Sequence, residues 1–326
     1  MLLGQLDGPM ARVLADHFED WPRKRLKAAI EHLRSKVRGE LKEFCDRNFV
    51  GASYSMLARL YEPLSRHENC FRVPLNEFTE QYARLRPEVL KGAPLHATVS
   101  ISPWGLQFDF PESRLVKDSA EAVNATLDYD EEHQRLADAR IKWKDAKAPR
   151  KRAEIARLVR CRELAQRSAL LCAFNLVEAY VNGIAWCYVQ TRGISHLNDN
   201  HRNLLTEEKR PVNLVEKLVK IPRIVVGTGE GPLHDSREPL KSFVAIVKPF
   251  RDAIVHASPF SAPEKFGGYD KLEKLYGLTV ATALHGVGLT LAIISEIHQF
   301  TGGDGQMPEW VPSRTEDGRF RLANGE

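Results

Sequence analysis

The chain has 326 residues, of which 43% are hydrophobic, and a formal net charge of +4. This is enough for two domains of ordinary size, each with apolar material for a core, and it excludes wholesale disorder. The mild positive charge admits an anionic partner such as RNA but does not demand one.

The 5 cysteines, Cys45, Cys70, Cys161, Cys172 and Cys187, contain no CxxC pair and are odd in number. They read as reduced thiols rather than a disulfide framework or a zinc site. Asp7 and Gly8 interrupt the start where a signal peptide needs an apolar run. Together these features predict a cytoplasmic protein.

In chain order, the first element is a helix opened by Asp20 as N-cap and Pro22 in its first turn. Leu26, Ile30, Leu33, Val37, Leu41 and Phe44 follow at spacings of three and four, an apolar stripe on a charged rod. Its basic residues alternate with Glu31, Glu40 and Glu43, the pattern of a solvated face. Farther on, Ala97, Val99 and Ile101 alternate with polar residues, Pro103-Trp104-Gly105 turns, and Leu106, Phe108 and Phe110 alternate back. This predicts a β-hairpin with one buried face, packed on neighbouring helices or on further strands.

Residues 128–152 are charged and carry Pro149, and they read as a connecting helix and linker with the domain boundary near residue 145. The second half reads as all-helical. A long helix or two in succession runs to a stop at Gly193, and after a polar loop comes a short helix over 213–220. The segment 238–256, with Pro249 inside it, and the segment 269–300, closed by Gly302 and Gly303, are the next two helices. The tail from 304 offers Trp310 as a docking point. The predicted architecture is therefore mainly α: an N-terminal helix-rich domain with a β-hairpin (1–127), the connector (128–152), a helical bundle (153–303) and a tail (304–326).

Residues 168–190 are apolar enough to span a membrane, but Asn175, Glu178 and Asn182 lie at the centre and a central acid is costly in lipid. A bundle away from the membrane is the expectation. Gly227-Thr-Gly-Glu-Gly231 lacks the Lys-Ser/Thr of a phosphate loop, and Pro232 stands at the third glycine of a dinucleotide fingerprint. There is no GxSxG, no HExxH and no metal-spaced cluster, so neither a metal nor a cofactor is expected.

One pattern carries chemistry. Arg251 and His256 stand five residues apart at the end of an apolar helix, with Asp252 next to the arginine. With 11 histidines in the chain, R-x4-H is expected by accident about once, and it recurs at Arg12–His17, so spacing alone decides nothing. Context separates the two: only the second ends a helix of the predicted bundle. Five residues turn about 140° and rise about 7.5 Å on an ideal helix, so the two side chains converge only if Pro249 or the helix end near Ser258 distorts it, or if they meet across a dimer. A helix terminus with His256 favouring its negative end is the plain reading. His285 reads as a satisfied bundle histidine, and His196 and His201 as solvated loop residues.

Arg251-Asp252-Ala-Ile-Val-His256 resembles the signature of the HEPN superfamily: Arg, a polar residue, three or more further residues, then His. The polar, otherwise apolar helix around Glu178 strengthens the likeness, which covers about residues 150–300. The resemblance implies a HEPN-like bundle and metal-independent RNA cleavage at a homodimeric cleft, leaving 2′,3′-cyclic phosphate ends. It implies catalytic Arg251 and His256, a supporting role for Asp252, and a toxin or phage-defence setting with an antitoxin or defence-system partner protein. Asn175, Glu178 and Asn182, at spacings of three and four, form one stripe. That stripe is expected either to face the Arg251–His256 cleft, with Glu178 tuning the arginine or histidine, or to hold the bundle together. Two other functions stay open: a non-catalytic HEPN-type assembly subunit, and a small-molecule-binding bundle with a pocket near Glu178.

Overall fold

The computed structural model describes residues 22–48, 54–61, 71–81, 93–102, 105–138, 149–255, 273–303 and 307–322. Asp20, Cys70 and the Pro103-Trp104 turn lie outside them. The chain divides into two compact units, residues 1–109 and 110–326.

The first unit holds α1 (Arg23–Asn48), α2 (Tyr54–Tyr61), β1 (Phe71–Pro74), α3 (Leu75–Gln81), β2 (Thr98–Ser102) and β3 (Gly105–Asp109). The predicted hairpin is β2–β3, and β1 extends it to a three-stranded antiparallel sheet ordered β1-β2-β3. Pairing of Val73 with Val99 and of Val99 with Phe108 puts like faces in a row across the sheet. Ala97, Val99 and Ile101 are buried as the alternation requires, together with Val73, Leu75, Phe78, Leu41, Cys45 and Leu57. Burial, with a smaller contribution from Asp46, pushes the Cys45 thiol up to about 12.

The second unit is a bundle built around α5 (Pro149–Arg192). It also contains α4 (Pro111–Asp138), α6 (Asp199–Thr206), α7 (Leu214–Val226), α8 (240–255) and α9 (Val280–Phe300). The boundary therefore falls at 109/110 rather than near residue 145, because α4 packs along α5 for much of its length. Its inward positions Val116, Ser119, Ala120, Val123 and Thr126 are buried but mostly small or hydroxylated, and they let the two axes approach closely. Within the charged end of that helix, Asp130 pairs with Arg162 of α5 at 3.0 Å.

Helix α5 is one uninterrupted element, ended by Gly193 in the left-handed region (φ 67). The segment read as a polar loop contains α6, whose N-cap Asn198 accepts from the His201 backbone N–H at 2.9 Å. Helix α7 runs on through Pro222 to Gly227 (φ 79). Helix α9 starts only at Val280, because Thr279 caps it by accepting from the Thr282 N–H at 3.1 Å.

By length and composition, Arg152–Arg192 and Val280–Phe300 could each cross a membrane. In the bundle, both give their most apolar faces to the core: Leu170, Val177 and Val181 from one, and Ile293, Ile294 and Ile297 from the other. The tail docks through Trp310, edge-on to Phe110 with centroids 5.8 Å apart and tilted on Tyr180 at 6.1 Å.

Gly286 marks the closest approach of α9 to its neighbours. A Cβ there would lie 2.4 Å from Leu170 Cδ2 and 3.2 Å from Val247 Cγ2. Leu170 and Val247 are both fully buried and have little room to yield. Gly286→Ala should therefore destabilise the bundle by about 1–3 kcal/mol in urea unfolding, despite the better helix propensity of alanine. Wild-type stability in that variant would show that the contact yields freely.

Candidate functional site

Arg251 sits on α8, which is built from Leu240–Ser242, a π-helical turn Phe243–Val247 and Lys248–Val255. The π turn has a local cause. Pro249 has no N–H and its ring crowds the carbonyl four residues back, so the ladder widens ahead of it and the Lys248 N–H bonds to the Phe243 carbonyl. The distortion thus lies before Arg251. Residues 251–255 are ordinary α-helix. His256 itself lies outside the described residues.

The Arg251 guanidinium lies over the ring of Phe174 on α5, 4.7 Å from its centroid, and Phe174 in turn stacks on Phe243 at 5.9 Å. Arg251 Nη1 donates to Asp252 Oδ1 at 3.0 Å, and Lys248 Nζ donates to Asp252 Oδ2 at 2.7 Å. Burial would raise the Asp252 carboxyl, but hydrogen bonds from Lys248 and Arg251 outweigh it and hold the group below the usual carboxylate range. Asp252 thus stays ionised between two cations. Arg251 Nε is buried and has no hydrogen-bond partner among the described residues. The arrangement is a cation held flat on an aromatic face, its Nε enclosed and its Nη1 donating to Asp252.

The polar stripe of α5 divides. Glu178 is half-buried and lies four residues from Phe174, hence on the same face one turn away. No ion pair joins it to Arg251 or to another described residue. Asn175 is also half-buried. Asn182 turns to a different partner: its Oδ1 accepts from Lys217 Nζ on α7 at 3.0 Å. The three residues therefore do not converge on Arg251, and Asn182 belongs to a tie between helices.

That tie is larger than the sequence suggested. The Lys217 side chain is only 3% exposed, and its Nζ also pairs with Glu207 Oε2 at 2.9 Å. Glu207 accepts from the Val212 N–H at 2.7 Å and closes α6 in the left-handed region (φ 54). Beside it, buried Asn203 accepts from the Lys209 and Arg210 N–H groups and donates to the Arg210 carbonyl. A lysine inside the short amphipathic segment 213–220 gave no sign of burial. The one visible clue was the run of amide and acid residues in the connecting segment.

His285 is exposed on α9 rather than satisfied inside the bundle. His196 Nε2 is 3.0 Å from the Tyr188 hydroxyl, and His201 lies in α6. Among the described residues no group of His, Cys, Asp and Glu is placed to hold a metal ion. The chain matches no family model, no curated protein and no solved structure.

Proposed function

We propose that the chain is a metal-independent endoribonuclease of HEPN type, a toxin or phage-defence effector that cuts tRNA or mRNA. The observation that carries this reading is the setting of Arg251, a half-buried guanidinium laid on Phe174 and steadied by Asp252 at the end of a bundle helix. A planar cation so held suits a phosphate, which it can grip at two oxygens. His256, five residues on in the chain, is the proton-transfer group, the role an imidazole commonly takes in such chemistry.

In the reaction the histidine takes the proton of a ribose 2′-hydroxyl as the 2′-oxygen bonds to phosphorus. The P–O5′ bond breaks, the 5′-oxygen takes up the proton that the imidazole accepted, and a 2′,3′-cyclic phosphate remains. Arg251 stabilises the charge gathering on the phosphate oxygens. A single protomer offers one Arg–His pair, so the working cleft is formed by a homodimer of the second unit.

A non-catalytic HEPN-type assembly subunit is the second reading. The occupation of Arg251 by Asp252 and Phe174 favours it, since a structural arginine has the same neighbours.

Purified full-length protein in EDTA should cleave RNA, and His256→Ala should lower the rate at least about a hundredfold. A 2′-deoxy nucleotide at the cut site should block cleavage. Undiminished cleavage of that substrate would refute the mechanism, and an inactive but folded wild type would leave the assembly subunit.

A further inference from the structure

Residues 313–322 hold their own shape. The Thr315 N–H donates to the Arg319 carbonyl at 2.8 Å, the Arg321 N–H to the Ser313 carbonyl at 2.9 Å, and the Gly318 N–H to the Thr315 carbonyl at 3.0 Å. Gly318 takes φ 87 in the turn, where a side chain would be strained, and the Thr315 hydroxyl donates to the Asp317 carboxylate. This small hairpin meets the bundle mainly at two consecutive residues, Arg319 and Phe320, with Leu322 adding an apolar edge.

Three features of that contact are those of ligand recognition. Phe320, 5% exposed, enters a pocket of small side chains: Ala120 and Val123 of α4, Ala169 and Ala173 of α5, and Val287 of α9. Asn124 of α4 pairs with both backbone groups of Phe320, accepting from its N–H at 2.8 Å and donating to its carbonyl at 3.0 Å. An amide paired in this way fixes an extended backbone whatever the side chain, as a neighbouring strand does. Arg319 reaches Asp128 at 2.5 Å and Glu131 at 2.6 Å through separate guanidinium nitrogens, so α4 supplies acids for the basic residue just before the aromatic one. Helix α4 thus meets the charge and the backbone, and α4, α5 and α9 together enclose the ring.

We infer that the groove of α4, α5 and α9 around Phe320 is a recognition slot for an extended peptide segment with Arg followed by Phe. The chain's own distal hairpin is its resident, removable ligand, and the same segment of a second copy fits it in trans. The hairpin's own bonds, with the Arg314 guanidinium 5.0 Å from the Phe320 ring centroid, reduce the ordering that docking requires. The short tether from Trp310 keeps the resident ligand at an effective concentration on the order of millimolar, so a free segment competes poorly with it.

The test uses the full chain with Arg319→Ala and Phe320→Ala, which vacates the slot, and a fluorescent synthetic peptide of residues 312–322. Anisotropy should show saturable binding to the variant and at least tenfold weaker binding to the wild type. A peptide carrying Phe320→Ala should not bind. No saturable binding by the variant, or equal binding to variant and wild type, overturns the inference. So does a variant that fails to fold, since the hairpin is then an integral part of the core. Hydrogen exchange on the wild type gives an independent reading: the Phe320 and Arg321 amides should exchange at least tenfold faster than those at the centre of α9. Equal protection would overturn the proposal equally.

Discussion

Arg251→Lys should cleave RNA at about one-hundredth of the wild-type rate while leaving the fold intact. Lysine keeps the charge but loses the planar fork and the flat contact with Phe174, 4.7 Å away. If Arg251 grips a phosphate in the transition state, losing one well-placed donor lowers the rate by about a hundredfold or more. If it is only a brace on Phe174, the cost appears as stability, about 1 kcal/mol for a partly exposed cation–π contact. Single-turnover cleavage and urea unfolding of the same preparation separate the two. Wild-type cleavage by Arg251→Lys would remove the arginine from the chemistry, and a loss of stability alone would favour the assembly subunit.

Long elements with strong local signals were legible in the sequence. The alternation of Ala97, Val99 and Ile101 gave the hairpin, Gly193 gave the end of α5, and Trp310 gave the docking point of the tail. What was missed was held by partners distant in sequence. Strand β1 has only four residues and is defined by its register with β2. Helix α4 turns Ser119, Ala120 and Thr126 inward, and small or hydroxylated residues make a weak apolar stripe even where they are fully buried. Pro249 was visible, but the side on which it would distort α8 depended on the Lys248–Phe243 bond.

The site divides in the same manner. Arg251 and Asp252 are chain neighbours, and their pair could be read directly. Phe174, the surface on which the guanidinium rests, lies 77 positions away in the numbering (251 less 174) and carries no polar signal of its own. Asn182 looked like part of one stripe with Glu178 because helical spacing says only which residues share a face. It does not say which neighbouring helix each will meet, and for Asn182 that neighbour is α7.

Lys217→Met should lower the stability of the bundle by about 3 kcal/mol at pH 7. The substitution keeps most of the aliphatic volume and removes the charge, so packing loss contributes little. It leaves Glu207 and Asn182 without the ammonium that bridges α6, α7 and α5. Breaking a buried ion pair costs about 3–5 kcal/mol. The low end applies here because Glu207, 38% exposed, can be rehydrated and keeps its Val212 N–H. The pH dependence fixes the cause. Burial would raise the Glu207 carboxyl, yet the Lys217 and Val212 hydrogen bonds hold it below its ordinary value. A carboxyl lowered in the folded state adds stability that is complete above the unfolded value, about 4.3, and is lost as the pH falls through the lower folded value. Urea unfolding of the wild type should therefore weaken below about pH 4, and the Lys217→Met curve should be flatter there. Adding Glu207→Gln to Lys217→Met should recover part of the loss, because an uncharged amide is cheaper to leave beside a methionine than a carboxylate. A Lys217→Met protein within 1 kcal/mol of the wild type would mean that the buried ammonium roughly balances its own desolvation and serves to set the register of the three helices rather than their stability.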